Sequence, residues 1–171
     1  MRKSFGNQFE CRQAWMQGQA QGHCGSVRFA DDTLYSYGMP IAQRLPNGQY
    51  AVQRKGPSAT TNQHIRAVKD VIGWHESLLV EKLGSVQENA EVARKLATEA
   101  LGFFRRARNP YKRDYHWTFF IGVILDADRY ARAMDSEIRF VPQDVSAKET
   151  SEAMVYALLL EQNGGKLPRP G

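Results

Sequence analysis

The sequence predicts an α+β fold, in which a small antiparallel sheet of about four strands and a covering helix precede a helical C-terminal half. Two patterns lead to this prediction. Between residues 27 and 54, short runs of β-branched and aromatic residues alternate with turn residues, as in antiparallel strands. After Gly73, apolar residues recur with a helical period. With 171 residues, of which 42% are hydrophobic, the chain fits one compact domain.

Four short strands are expected in the first half. They are centred on Val27–Phe29, Leu34–Tyr37, Ile41–Leu45 and Tyr50–Arg54. Asn47-Gly48 precedes the fourth strand, and this dipeptide favours a hairpin because it tolerates positive φ angles. A short helix with Phe5, Phe9, Cys11 and Trp15 is expected before the strands. It should end in the polar stretch 17–22, and His23 and Cys24 are expected in a glycine-rich loop.

The helices are predicted from their caps and apolar stripes. Ser58 to Thr61 supplies side chains that cap a helix, and the apolar residues 65, 68, 71 and 72 give it one face to cover the sheet. The stripe from 73 onward includes Leu78, Leu79 and Leu83. Further helices are expected over 88–108, 115–136 and from Ser146, with a strand at 138–141 and a loose tail at 164–171. Units 1–72 and 73–171 are expected to pack as one domain.

Several classes of protein are excluded by what the sequence lacks. The longest apolar run, residues 117–125, is shorter than the about 20 residues that a membrane-spanning helix needs. Two cysteines are too few for a disulfide framework, and the basic N-terminus has no apolar signal segment. The expectation is a reduced, cytoplasmic protein. No phosphate-binding glycine loop, dinucleotide motif or nucleophile elbow occurs, so no cofactor is predicted.

Positive charge is concentrated in two places. Residues 1–72 hold nine Lys or Arg against four Asp or Glu, which accounts for the whole net charge of +5. The cations near the predicted sheet are Arg28, Arg44, Arg54 and Lys55. The densest cluster lies near Asn109-Pro110 and comprises Arg105, Arg106, Arg108, Lys112 and Arg113, with Tyr111, Tyr115 and Trp117 interleaved. This composition favours binding of nucleic acid or an acidic partner. The alternative is a solvated helix C-terminus, where the macrodipole favours cations.

A polar group with catalytic potential forms the second candidate site. It comprises Tyr35, Tyr37, Thr61 and His64. Thr61 and His64 lie one helical turn apart and share a face, and we expect Tyr37 to lie close to His64 in one depression. The alternative is a plain helix cap with a surface histidine.

Metal binding is not predicted. Cys11, His23, Cys24 and His64 have no zinc-site spacing, and neighbours such as His23 and Cys24 seldom face each other. Asp126 and Asp128 point away from each other on a helix and are expected at a solvated edge, paired with Arg129 and Arg132.

Residues 14–65 carry a resemblance to a known family. Ala14-Trp15, Ser26 to Phe29, Leu34 to Gly38 with Pro40 to Ala42, and Ser58 to His64 occur in that order. They resemble a domain of unknown activity from bacteriophages, plasmids and bacterial chromosomes, with a Y-S-Y-G-x-P-I-A core and a T-T-x-x-H helix start. Only Met39 separates Gly38 from Pro40, where that domain has a slightly longer insert. The resemblance implies a mobile-element context and assigns no catalytic residue.

Three functions follow as expectations. The first is a non-enzymatic accessory protein of a phage or other mobile element, which binds nucleic acid or a nucleic-acid-processing complex. An inhibitor of host defence, directed against CRISPR or restriction systems, is a special case in which the partner is a host nucleoprotein. The alternatives are a small enzyme that uses the Tyr/Thr/His pocket, and a structural module that forms homo-oligomers.

Overall fold

A single seven-stranded sheet organises the part of the chain that the computed structural model describes, residues 3–73 and 76–138. The strands lie in the sheet in chain order. They are β1 (Lys3–Ser4), β2 (Gln21–Cys24), β3 (Val27–Ala30), β4 (Thr33–Ser36), β5 (Met39–Arg44), β6 (Tyr50–Gln53) and β7 (Ser77–Val80). The helices are α1 (Gln8–Met16), α2 (Ala59–Ile72), α3 (Val86–Arg106) and α4 (Pro110–Ala133).

The fold class is therefore α+β, but the prediction of a four-stranded antiparallel sheet is wrong. The sheet has seven strands and is mixed, because β1 pairs with β2 and β6 pairs with β7 in parallel. Strand β2 was expected to be a loop because it contains Gly22; the rings of Phe5 and Phe29 occupy the space that a side chain there would need. Leu78 and Leu79 were expected in a helix and lie in β7, since a short apolar run fits either structure.

Parallel pairing at both edges produces a symmetric topology. Helix α1 connects β1 to β2, helix α2 connects β6 to β7, and an antiparallel meander runs from β2 to β6. Strands β1 and β6 point the same way, and both connections step in the same direction across the sheet. Crossovers of the usual right hand therefore place both helices on one face.

The shared face contains the main core. Trp15 of α1, Ile65 of α2 and Phe29 of β3 are almost completely buried there together. The indole nitrogen of Trp15 also donates a hydrogen bond to the carbonyl of Asp32, at 3.0 Å, which ties α1 to the β3–β4 turn. Helix α2 begins at its predicted cap, because the Ser58 side chain accepts a hydrogen bond from the amide of Thr61.

The opposite face is covered at one end by a helical hairpin. Helices α3 and α4 pack through small residues of α3, including Ala93 and Ala97, against Phe120 and Ile124 of α4. A separate cluster that includes Tyr130 joins α4 to the β5–β7 end of the sheet. The Tyr130 hydroxyl accepts a hydrogen bond from the amide of Gly84 and donates one to Gln43.

Both long helices begin earlier than predicted. Helix α3 begins at Val86 and ends at Arg106, whereas 88–108 was expected. Helix α4 begins at Pro110, directly after its cap Asn109, whereas Tyr115 was expected. The predicted strand at 138–141, except for its first residue, the helix from Ser146 and the tail at 164–171 lie outside the described residues. Within residues 3–73 and 76–138, no helix has the length and hydropathy needed to cross a membrane.

Candidate nucleic-acid interface

The turn between α3 and α4 is built so that two helix ends meet. The amide of Ala107 still donates to the carbonyl of Phe103, and the side chain of Asn109 then accepts a hydrogen bond from the amide of Tyr111 at 2.9 Å. Pro110 occupies the first helical position, where its missing N–H costs nothing. The chain thus reverses within three residues, 107–109. We call residues 103–117 the hairpin tip.

All five predicted cations of this cluster lie exposed on the hairpin tip. They are Arg105, Arg106, Arg108, Lys112 and Arg113. None of them forms an ion pair with any residue in the described ranges. Asp114 is the only carboxylate in residues 103–117. Among the described residues, the fold therefore concentrates positive charge without ion-pair partners at the turn between α3 and α4.

The helix-terminus explanation covers only part of this cluster. Arg105 and Arg106 lie in the last turn of α3, where the macrodipole favours cations. Lys112 and Arg113, however, lie in the first turn of α4, which contains no acidic residue. Cations at a helix N-terminus are unfavourable, so helix stability gives no reason for these two residues.

Aromatic rings accompany the cations. Phe103 stacks on His116 with ring centres 5.3 Å apart, and Phe104 lies against Trp117 at 5.1 Å. The guanidinium of Arg106 lies 5.1 Å from the ring centre of Phe103. That of Arg113 lies 5.0 Å from the ring centre of Phe104. Both guanidinium groups thus rest on rings rather than on carboxylates.

The predicted cations around the sheet have a different environment. Arg44 pairs with Asp32 at 2.7 Å, and Arg28 lies 4.0 Å from the ring centre of Tyr35. Lys55 is exposed.

Arg54 is more enclosed than Arg44 or Lys55. It forms an ion pair with Glu81 and lies 4.0 Å from Asp126. It also donates to the carbonyl of Leu79 and covers the ring of Phe119 on α4. Arg54 therefore joins β6, β7 and α4 inside the molecule.

The predicted polar group is only partly brought together. Tyr37 stacks on His64 with ring centres 6.0 Å apart, so the expected proximity of these two residues is confirmed. The contact depends on the turn after β4, in which Tyr37 and Gly38 both have positive φ. Thr61 bonds to Ser58 instead. Tyr35 lies on the opposite face of the sheet, since it is one residue away from Ser36, which faces α2.

Sequence reasoning missed two partners of His64. The Ser36 hydroxyl lies 2.7 Å from Nδ1 of His64, and Arg12 of α1 is close enough to influence its charge. Burial, followed by the positive charge of Arg12, lowers the pKa of His64 below its usual range. Ser36 could have been found from the alternation of β4, because it shares a face with Leu34. Arg12 lies on α1, whose sequence has little amphipathic pattern. The sequence therefore did not indicate that Arg12 lies near His64.

This polar group is closed to solvent. Ser36, Thr61 and His64 are at least nine-tenths buried, and only Tyr37 is exposed. Tyr37 instead borders a shallow depression of about 490 Å³, together with His23 and Arg28. The arrangement packs α2 against β4 and leaves a substrate no access to the serine or the histidine.

The remaining candidates form no metal or nucleophilic site. His23 and Cys24 are successive residues of β2 and point to opposite faces of the sheet. The pairs of Asp126 with Arg129 and of Asp128 with Arg132 are confirmed, although both carboxylates are largely buried rather than solvated. Among the described residues, no group of three or more potential ligands could hold a metal ion.

Exposed cations and aromatic rings thus occur together at the hairpin tip. Comparison of the chain with protein-family models, curated proteins and solved structures finds no match.

Proposed function

We propose that this protein is a non-enzymatic accessory protein that binds nucleic acid, alone or within a nucleic-acid-processing complex, through its hairpin tip. One observation carries the proposal: five exposed cations lie within nine residues, and none is neutralised by a partner among the described residues. Phosphates release their counterions when such side chains bind them, and this release drives association.

The position of the tip supports the proposal. The α3–α4 hairpin contacts the sheet and the segment after β7 through the start of α3 and through α4 from Phe119 onward, so the hairpin tip lies beyond these contacts along both helices. Arginines from the end of one helix and the start of the next approach a ligand from two directions. This geometry suits a phosphate backbone better than a small anion, which needs one enclosed set of donors.

The cellular role and location of the protein are predicted from its sequence only. The mobile-element context, a role against host defence and a cytoplasmic location remain predictions, which rest on the resemblance of residues 14–65 and on the composition. The enzyme alternative receives less support from the geometry, because Ser36 and His64 are closed to solvent.

A charge-reversal experiment tests the proposal. Changing Arg108→Glu together with Arg113→Glu should weaken binding of a labelled oligonucleotide more than tenfold in an electrophoretic shift assay. The slope of log affinity against log salt should also fall by roughly two, because two phosphate contacts are lost. The free energy of unfolding should change by less than about 0.5 kcal/mol per exposed site.

The matched control reverses the same amount of charge elsewhere. Arg66 and Lys95 are exposed cations of α2 and α3 that lie outside the tip. The Arg66→Glu/Lys95→Glu variant should keep most of the affinity. Equal affinity of the two double variants, or no binding by the wild type at low salt, would contradict the proposal.

A further inference from the structure

The hairpin tip carries a second feature that charge does not explain. Phe103, Tyr111 and Tyr115 expose 51%, 86% and 66% of their surfaces. None of the three belongs to the buried cluster between α3 and α4. Phe103 stacks on His116 and Tyr115 on Phe119, but more than half of each of these two side chains stays exposed, which packing of the hairpin does not require. Exposed rings interleaved with unpaired arginines provide both stacking and phosphate contacts in one place.

We infer that the ligand of the hairpin tip is single-stranded nucleic acid, whose unpaired bases stack on these rings. The inference rests on the proposed function and narrows its ligand. In a duplex the base faces are already stacked on one another, so exposed rings gain nothing from them. A single strand presents those faces, and each base stacked on an aromatic side chain adds to affinity without regard to sequence.

A small apolar slot gives the first stacking position. It has a volume of about 200 Å³ and lies between Phe103 of α3 and Tyr115 of α4. Its other lining residues are Leu96, Glu99, Ala100, His116 and Phe119, so one carboxylate stands at its α3 side. Tyr115 is held nearly parallel to Phe119, with ring centres 6.3 Å apart. The slot is smaller than the roughly 300 Å³ of the smallest drug-sized pockets, so it suits one ring system rather than a whole nucleotide.

A second groove lies beside the first turn of α4. It has a volume of about 350 Å³ and is lined by Phe104, Trp117, Pro110, Arg113 and Asp114. Here the guanidinium of Arg113 already covers the ring of Phe104. Since this arginine has no carboxylate partner among the described residues, it can turn toward a phosphate without breaking an ion pair. Both grooves therefore combine rings from the two helices. Arg113 lines the second groove, and Arg106 lies over Phe103 beside the first.

A second copy of the chain fits the same surface less well. Two hairpin tips would bring ten cations together against two aspartates, and like charges in contact are unfavourable. Single-stranded nucleic acid is complementary to the tip in charge as well as in ring chemistry.

The test compares two ligands and two kinds of variant in the full-length chain. Fluorescence anisotropy measures binding of a labelled single-stranded oligonucleotide and of the duplex with the same sequence, at roughly 50 and 200 mM salt. We expect the wild type to bind the single strand at least tenfold more tightly. The Phe103→Leu/Tyr115→Leu variant should lose about tenfold in single-strand affinity or more, and keep the salt slope of the wild type.

The matched control is Val92→Ala, which changes another exposed apolar residue of α3. It should bind both ligands like the wild type. Equal binding of single strand and duplex, with no loss in the Phe103→Leu/Tyr115→Leu variant, would overturn the stacking inference and leave the proposed function intact. If the Arg108→Glu/Arg113→Glu variant also binds like the wild type, the proposed function fails as well.

Discussion

Arginine side chains have opposite environments in the sheet and in the helical hairpin. Arg54, directly after β6, contacts two carboxylates, a carbonyl and a ring, which come from β7, from the residue that follows β7 and from α4. Arg113, in the first turn of α4, lies over the ring of Phe104 and forms no ion pair with any described residue. Both are arginines in basic stretches of the sequence, yet one joins parts of the fold and the other is available to a ligand. Positive charge therefore indicates binding only where the fold leaves it uncompensated.

The largest effect that tests this comparison should come from Arg54→Met. Without the guanidinium, the largely buried Glu81 loses its ion pair, and Asp126 keeps only the more exposed Arg129 at 4.0 Å as a cationic partner. Burial already raises the pKa of Asp126 above its usual range. We expect a loss of about 3 kcal/mol in the free energy of unfolding, as for other broken buried pairs. Urea denaturation measures it. The neighbouring exposed residue provides the control, Lys55→Met, with an expected change below about 0.5 kcal/mol. Equal stability of the two variants would show that Arg54 is as dispensable as a surface cation.

A smaller effect on the free energy of unfolding should distinguish a glycine in a turn of the sheet from a glycine in a helix of the hairpin. Gly48 has a φ of 83°, which a β-branched residue adopts only under strain. Since a side chain there would meet no atom within 4 Å, the cost of Gly48→Val is one of backbone conformation. We expect a loss of about 1–2 kcal/mol in thermal or urea unfolding.

Gly122 in α4 is the matched position, because a side chain there also meets no atom within 4 Å. In a helix the alanine is favoured, so Gly122→Ala should stabilise the protein by about 0.5–1 kcal/mol. Changes of the same sign in the two variants would contradict this account of the β5–β6 turn.

The smallest effect concerns the pH dependence of the sheet half. The folded state lowers the pKa of His64, so the neutral ring is favoured on folding. Its contribution to stability is complete above the unfolded pKa of about 6.5 and is lost as the pH falls from there toward the lower folded pKa. The free energy of unfolding should therefore decline over that range in the wild type. In the His64→Gln variant this part of the decline should be absent, at a cost of up to about 1 kcal/mol at neutral pH for the lost bond with Ser36. An identical decline in both proteins would show that His64 does not cause it.

The sequence predicts the elements whose patterns are local. Strands β3–β6 were expected because short runs of strand-forming residues are separated by turn residues, and α2 was expected from the cap at Ser58. The edge strands were missed for a physical reason. Strand β2 contains a glycine required by neighbouring rings, and β7 is stabilised by β6 and α4 rather than by its own pattern.

The candidate site likewise has a part that is predictable from local sequence and a part that depends on residues distant in the sequence. The hairpin tip could be located in advance because its cations are close together in the sequence. The pairing of Arg54 could not, since Glu81 and Asp126 approach it only after β7 and α4 are in place. The same applies to His64, whose partners Ser36 and Arg12 come from other elements. A site whose residues are close together in the sequence can thus be located from the sequence. Which of its charged side chains form ion pairs within the protein depends on the fold.

The two parallel crossovers also set the order in which the sheet can assemble. Three of the four turns in the β2–β6 meander contain two residues, and the fourth contains five, so these strands pair at little loop-closure entropy. Strand β1 can pair with β2, and β7 with β6, only after the connecting helix, α1 or α2, has formed and packed on the sheet. We expect the meander to be the kinetic nucleus, with the two edges adding later and independently, because contacts close in sequence form fastest.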